Sequence, residues 1–141
     1  MNLISALMII AVTGLAVDNP TDYKTAYGNA QNGDKPLLVL VTAKWCPPCQ
    51  VMKSTTIPTL MAKQAFKEFH YATVDLDAEE KLARQLIGNR GVPQIILYEK
   101  HNDKWVRRYL RGIQTPETVE AFVAQALTPR TASAQPVIAD K

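Results

Sequence analysis

The chain has 141 residues, 47% of them hydrophobic and 21% charged. That is the make-up of one ordinary globular domain, and it excludes a disordered chain or a multi-span membrane protein. Two cysteines exclude a disulfide-stapled scaffold. Sixteen basic residues against 13 acidic ones give a net charge of +3, too mild to point to nucleic acid or an anionic membrane surface.

Residues 2–17 read NLISALMIIAVTGLAV, apolar and uncharged. The run is shorter than the roughly 20 residues that cross a bilayer. It fits the apolar part of a secretory signal, with Gly14 and Ala16 as a small-x-small pattern for cleavage after Ala16. No Lys or Arg precedes it, so a retained N-terminal anchor and a buried core helix stay open beside a signal peptide over 1–16. No cysteine follows the run, so a lipid-anchored form has no attachment point. Export would place both cysteines in an oxidising compartment, periplasmic or extracellular. At the other end, residues 128–141 read TPRTASAQPVIADK without an apolar period, and a flexible tail is expected. The folded unit is then 18–127.

Within it, Tyr23, Ala26, Tyr27 and Ala30 recur at helical spacing, so the first element is a short amphipathic helix over 21–32, ended by Asn32-Gly33-Asp34. Residues 37–41 are apolar without interruption, the mark of a central strand buried on both faces. A helical stretch begins after Cys49 and carries Val51 and Met52. Pro58 predicts a break or kink, with a second helical piece through Phe66. A strand over 71–76, a helix over 78–87 and a loop over 88–91 follow. Strands over 94–98 and 105–111 flank a turn at 101–104 and predict a hairpin. Thr115 caps a last helix with Pro116 at its first position. The order α-β-α-β-α-β-β-α predicts an α/β fold, a central mixed sheet with helices on both faces.

Trp45-Cys46-Pro47-Pro48-Cys49 lies between a buried strand and a helix start. With Cys46 as N-cap, the prolines take the first two helical positions, where a missing N–H costs nothing. Cysteines three apart at a helix start lie within disulfide reach. The sulfur of Cys46 can accept a bond from the amide of Cys49, and the helix dipole adds positive character. Both effects favour the thiolate, the nucleophile of thiol–disulfide exchange. Cys46 is therefore expected to attack and Cys49 to resolve. A zinc site needs about four ligands. Only His70 and His101 could join the cysteines, and neither has ligand-like spacing. A structural disulfide across so short a loop would constrain the unfolded chain only modestly.

Over residues 21–127 the chain resembles the thioredoxin superfamily. The resemblance rests on the apolar strand leading into Ala43-Lys44-Trp45-Cys46-Pro47-Pro48-Cys49, then Val74-Asp75-Leu76-Asp77, Arg90-Gly91-Val92-Pro93, and Gly112 before the last helix. It is most similar to exported bacterial thioredoxin-like domains. It implies a thioredoxin-like fold with a cis peptide between Val92 and Pro93 beside the cysteines. It also implies a shallow groove at Trp45, Val92, Pro93 and Gly112, where an extended substrate pairs with the backbone of Val92. Protein disulfides are the implied substrates and an upstream thiol reductant the implied donor. Neither metal nor other cofactor is needed, and a membrane is met only through an uncleaved N-terminus.

Three departures from thioredoxin stand out. Leu40 replaces the buried Asp of the preceding strand, so the proton acceptor for Cys49 is unassigned. Pro47 replaces Gly and removes another amide near Cys46, while Pro48 replaces the His of strongly oxidising relatives. These two predict a moderately acidified thiol and a reductant or isomerase partner. Pro58 lies further along its helix than the family's usual kink. Trp45 is expected to shield the disulfide, with ordinary packing as the other reading, and Trp105 and Tyr109 to be core or sheet-face residues. Lys104, Arg107, Arg108 and Arg111 make a basic strand, read as a solvated edge or as a surface for an acidic partner. The expected function is a thiol–disulfide oxidoreductase, with a redox-inert binding module on the same fold as the alternative.

Overall fold

The computed structural model describes residues 21–128. The leader expected over 1–16 and the tail beyond Thr128 lie outside the described residues. In chain order the elements are α1 (Tyr23–Asn32), β1 (Leu37–Thr42), α2 (Pro47–Val51), a π-helical turn (Met52–Thr56), α3 (Ile57–Ala62), β2 (His70–Asp75), α4 (Glu80–Ile87), β3 (Gln94–His101), β4 (Lys104–Arg111) and α5 (Pro116–Leu127). The four strands form one mixed sheet in the order β2-β1-β3-β4. β1 runs parallel to β2 and antiparallel to β3, and β3 and β4 form the hairpin.

All six residues of β1 are buried because both faces of this central strand are covered. Leu37, Val39 and Val41 join Ala26 and Ala30 of α1 and Ala83, Leu86 and Ile87 of α4. Leu38 and Leu40 join Met52, Ile57 and Leu60 on one side and Val119, Phe122 and Val123 of α5 on the other. Successive side chains of a strand point to opposite faces, so one apolar run supplies two cores. The expected layering, helices on both faces of a mixed sheet, is the one found.

The helices start where their caps lie. Asp22 caps α1 by accepting from the amide of Thr25 at 3.0 Å. Thr115 caps α5 through the amide of Thr118 at 3.3 Å, with Pro116 in the first turn. Gly88 ends α4 at φ 62°, a conformation that side-chain-bearing residues resist. The hairpin turns on Asn102 and Asp103, both at positive φ (49° and 61°). Positive φ at both central residues is what a two-residue turn of the I′ kind requires, and Asn and Asp tolerate it.

Several boundaries move by a few residues, with β3 running on to His101 and the hairpin turn reduced to Asn102-Asp103, and two departures in the helical segment after the cysteines have a clear cause. Pro58 does not break the helix. The ring of a proline clashes with the carbonyl four residues back and its nitrogen offers no donor. The chain widens by a π-turn over Met52–Thr56, in which the amide of Ile57 reaches the carbonyl of Met52, five residues back. The second piece ends at Ala62, not Phe66, and Gln64 takes a positive φ of 55°. Leaving the helix there turns Phe66 inward, where its ring stacks on Tyr71 at 5.2 Å. Burial of that aromatic face outweighs continuing the helix by one turn.

Candidate active site

Cys46 is the N-cap of α2, and its sulfur accepts from the amide of Cys49 at 3.3 Å. Pro47 and Pro48 fill the first helical positions, where their missing N–H groups leave no bond unmade. Cys46 and Cys49 are joined in a disulfide with their Cα atoms 5.2 Å apart. Both cysteines are buried, whereas Pro47, Pro48 and Trp45 are exposed. The expected cap geometry is therefore present, with the buried disulfide flanked in sequence by exposed residues.

The peptide bond between Val92 and Pro93 is cis. The carbonyl oxygen of Val92 lies 3.7 Å from Sγ of Cys46. With the disulfide formed, that sulfur carries no proton, so the approach is a packing contact rather than a hydrogen bond. Gly112 comes to the same rim, its amide donating to the carbonyl of Pro93 at 2.9 Å, with φ 76°. Ile113 beyond it is 54% exposed, which leaves an apolar surface beside the disulfide. Thus Trp45, Cys46, Cys49, Val92, Pro93 and Gly112, drawn from three parts of the chain, meet at one place.

Three residues that sequence reasoning left out of the site hold it together. Asp77 accepts from Nε1 of Trp45 at 3.0 Å and from the amide of Lys44 at 2.7 Å. Trp45 is 66% exposed, so this bond, not core packing, fixes the indole. Thr42 pairs with Asp75 where β1 and β2 lie parallel, so the residues just past each strand end are neighbours, a register that the sequence alone does not supply. Met52 and Thr56 hold the Gly112 loop. Sδ of Met52 accepts from the amide of Gln114 at 3.2 Å, and Oγ1 of Thr56 donates to the carbonyl of Gln114 at 2.9 Å. No periodicity announces that pair, because it depends on the π-turn.

Leu40 is buried among apolar side chains, and the site has no carboxylate there. Glu99 is the buried carboxylate among the described residues. It accepts from Nε of Arg108 at 3.0 Å and lies 3.1 Å from Nε2 of His101. Five residues along β3 from Gln94, it is roughly 17 Å from the disulfide end of that strand. His70 starts β2 and His101 ends β3, so neither approaches the cysteines. Among the described residues, no cluster of His, Cys, Asp or Glu is suited to a metal ion.

The basic strand divides in two. Arg108 turns to α5, reaching Glu99, Gln125 and the carbonyl of Phe122. It is a packing residue, which corrects the reading that grouped it with Arg107 as partner-facing. Trp105 is 40% exposed and Tyr109 half-buried, both on the sheet face.

The model of the thioredoxin-like family matches residues 18–100. Thioredoxin Asp f 29 of Aspergillus fumigatus is 29% identical over 83 residues, 59% of this chain and 74% of that protein. A thioredoxin from Thermus thermophilus superposes with a TM-score of 0.63 at 21% identity, over 75% of this chain and 84% of its own, a likeness of fold. Trxlp from Edwardsiella tarda EIB202 superposes with a TM-score of 0.58 at 29% identity, over 74% of this chain and 95% of its own. With the cysteines paired at a helix start beside a cis-proline, this chain belongs to the thioredoxin-like family and is a thiol–disulfide oxidoreductase.

Proposed function

We propose that the chain reduces protein disulfides outside the cytosol. The observation that carries the redox role is Cys46 at the N-cap, its sulfur bonded by the amide of Cys49. After reduction, the same amide and the helix dipole favour the Cys46 thiolate. That thiolate attacks one sulfur of a substrate disulfide. The substrate S–S bond breaks, one substrate thiolate leaves, and Cys46 is held in a mixed disulfide. Cys49 then gives up its proton to solvent and attacks Sγ of Cys46. The Cys46–Cys49 disulfide forms and the second substrate thiolate leaves. Two electrons have passed to the substrate, and an upstream thiol reductant restores the pair. No nucleotide or metal takes part.

Trp45, Val92, Pro93 and Gly112 form the substrate groove in this reading, with an extended substrate segment against the backbone of Val92. The reducing direction is supported by Pro47 and Pro48. They bring no ionisable group and no N–H to the Cys46 sulfur, which accepts from the amide of Cys49. Export is supported by the apolar, uncharged run over 2–17 with Gly14 and Ala16 at its end.

The test is the reduction potential of the pair, set by equilibration in thiol buffers. A value near about −270 mV is expected of a reductase. A value near about −120 mV, that of a strong oxidant, would reverse the direction. Cys49→Ser should accumulate substrates as mixed disulfides on Cys46, visible on non-reducing gels. A variant that traps nothing would remove the attacking role from Cys46.

A further inference from the structure

β4 carries a face that the disulfide chemistry does not use. Side chains alternate along the strand. Arg108 faces α5, its guanidinium 4.8 Å from the Phe122 ring. Trp105, Arg107, Tyr109 and Arg111 take the opposite face. There they register with Lys100, Tyr98, Ile96 and Gln94 of β3, so this face of the hairpin holds no carboxylate. On that side α1 and α4 cover β3, where Ile96 is buried and Lys100 donates to the carbonyl of Gln31, but they leave Trp105, Arg107 and Arg111 of β4 exposed.

The cations on this face are held on aromatic rings. The guanidiniums of Arg107 and Arg90 lie 5.0 and 5.6 Å from the centre of the Tyr109 ring. The ammonium of Lys100 lies 5.2 Å from the Trp105 ring. Among the described residues, no ion pair ties Arg90, Arg107 or Arg111 to a carboxylate. Cation–ring contacts orient the guanidiniums, and although Arg107 also bonds the Tyr98 phenol, neither contact neutralises its charge. The face is therefore a row of oriented positive groups without internal counter-charge.

β4 is also the edge of the sheet. Its outward backbone groups offer a ladder to another strand. Like charges along that edge repel a second copy of this chain and suit an acidic segment. The edge leads to the active site, since Arg111 is followed by Gly112, whose amide donates to Pro93. Eight residues of strand span roughly 27 Å.

We propose that β4 is a docking edge for an extended acidic segment of the disulfide-bearing partner. The segment adds as a strand outside β4, its carboxylates at alternate positions against Arg107, Arg111 and Arg90, and directs the partner's disulfide toward Cys46. The proposal rests on the reading of the chain as a reductase of protein disulfides. A peptide fits better than a nucleic acid because Arg107 and Arg111 lie four residues apart on one face of a strand edge, with Arg90 over Tyr109 between them, a spacing that matches an extended chain, and the chain's net charge is only +3.

The test uses three synthetic peptides with one disulfide each. One has a flanking segment of alternating Glu and Thr, one the same segment with Gln for Glu, and one the Glu segment with prolines at alternate positions. The full chain should reduce all three. The KM for the Glu peptide should be roughly fivefold below that for the Gln peptide, from two to three exposed charge pairs along a strand. The difference should shrink at high salt, vanish in Arg107→Glu/Arg111→Glu, and be absent for the proline peptide. Equal KM values for the Glu and Gln peptides would overturn the docking edge. So would an undiminished preference in the charge-reversed variant, a proline peptide as good as the Glu peptide, or a single-stranded oligonucleotide that displaces the Glu peptide. Failure to reduce any of the three would instead strike the reductase reading, so the two failures are told apart.

Discussion

Asp77 shows how an exposed carboxylate can order an active-site rim. One oxygen takes the amide of Lys44 and the other the indole N–H of Trp45, so the backbone leading into the attacking cysteine and the side chain just before it are both tied to one carboxylate. The amide of Asp77 donates in turn to Oδ1 of Asp75 at 2.9 Å, which sets the turn that presents its carboxylate. Asp77→Ala should release the indole. In a Trp105→Phe background, leaving Trp45 as the one tryptophan, fluorescence anisotropy should fall on that substitution. Unfolding in urea should show a loss of about 1 kcal/mol, the net value of an ordinary hydrogen bond at a solvated site. Unchanged anisotropy would mean that Trp45 is held by something else.

At the scale of elements, the segment from Pro47 to Ala62 is one helical rod with a π-turn in its middle. Its start sets the cysteines and its widened turn sets Met52 and Thr56 against Gln114. The proline that predicted a break thus produces an anchor for the opposite side of the groove. The β3–β4 hairpin is also two things at once. On the α5 side, Arg108 and the buried Glu99 lock strand to helix. On the open side, Arg107 is held by the Tyr109 ring. The two arginines should respond differently to substitution. Arg108→Ala takes the guanidinium from a buried carboxylate and should lower stability by about 3 kcal/mol. Arg107→Ala should change it by less than about 1 kcal/mol, as exposed charges do. Urea denaturation of the two variants reads this directly, and equal losses would refute the division of the strand.

For the whole molecule, the mixed sheet with a core on each face makes buried phenols part of its stability. Burial pushes the Tyr71 phenol up to about 12, offset in part by its bond with Oγ1 of Thr73 at 3.0 Å. In the unfolded chain a tyrosine ionises near about 10. Between those values the unfolded chain gives up a proton that the folded chain keeps. Stability from this group is therefore complete below pH ~10 and is lost as pH rises toward 12, by up to about 2–3 kcal/mol. Tyr23 is also pushed to about 12 by burial, reinforced by Tyr98 and Tyr27, and adds in the same direction. Urea midpoints at pH 9 and 11.5 should fall more steeply in the wild-type chain than in Tyr71→Phe. Parallel slopes would count against a buried phenol as the cause.

Local chemistry made much of this protein legible from its sequence. The apolar run of β1, the caps at Cys46 and Thr115, and the proline pair at a helix start act through neighbours in the chain, and each recurs in the fold as expected. Only the tertiary structure decided the contacts between segments distant in sequence. Asp77 meets Trp45 across 32 residues and Thr56 meets Gln114 across 58. Arg108 and Arg107, adjacent in the chain, part because a strand sends neighbours to opposite faces, and the position of α5 determines which one is buried. Periodicity records the environment of a residue along its own element. The partner that satisfies its charge or hydrogen bond is fixed only when the sheet brings distant elements together.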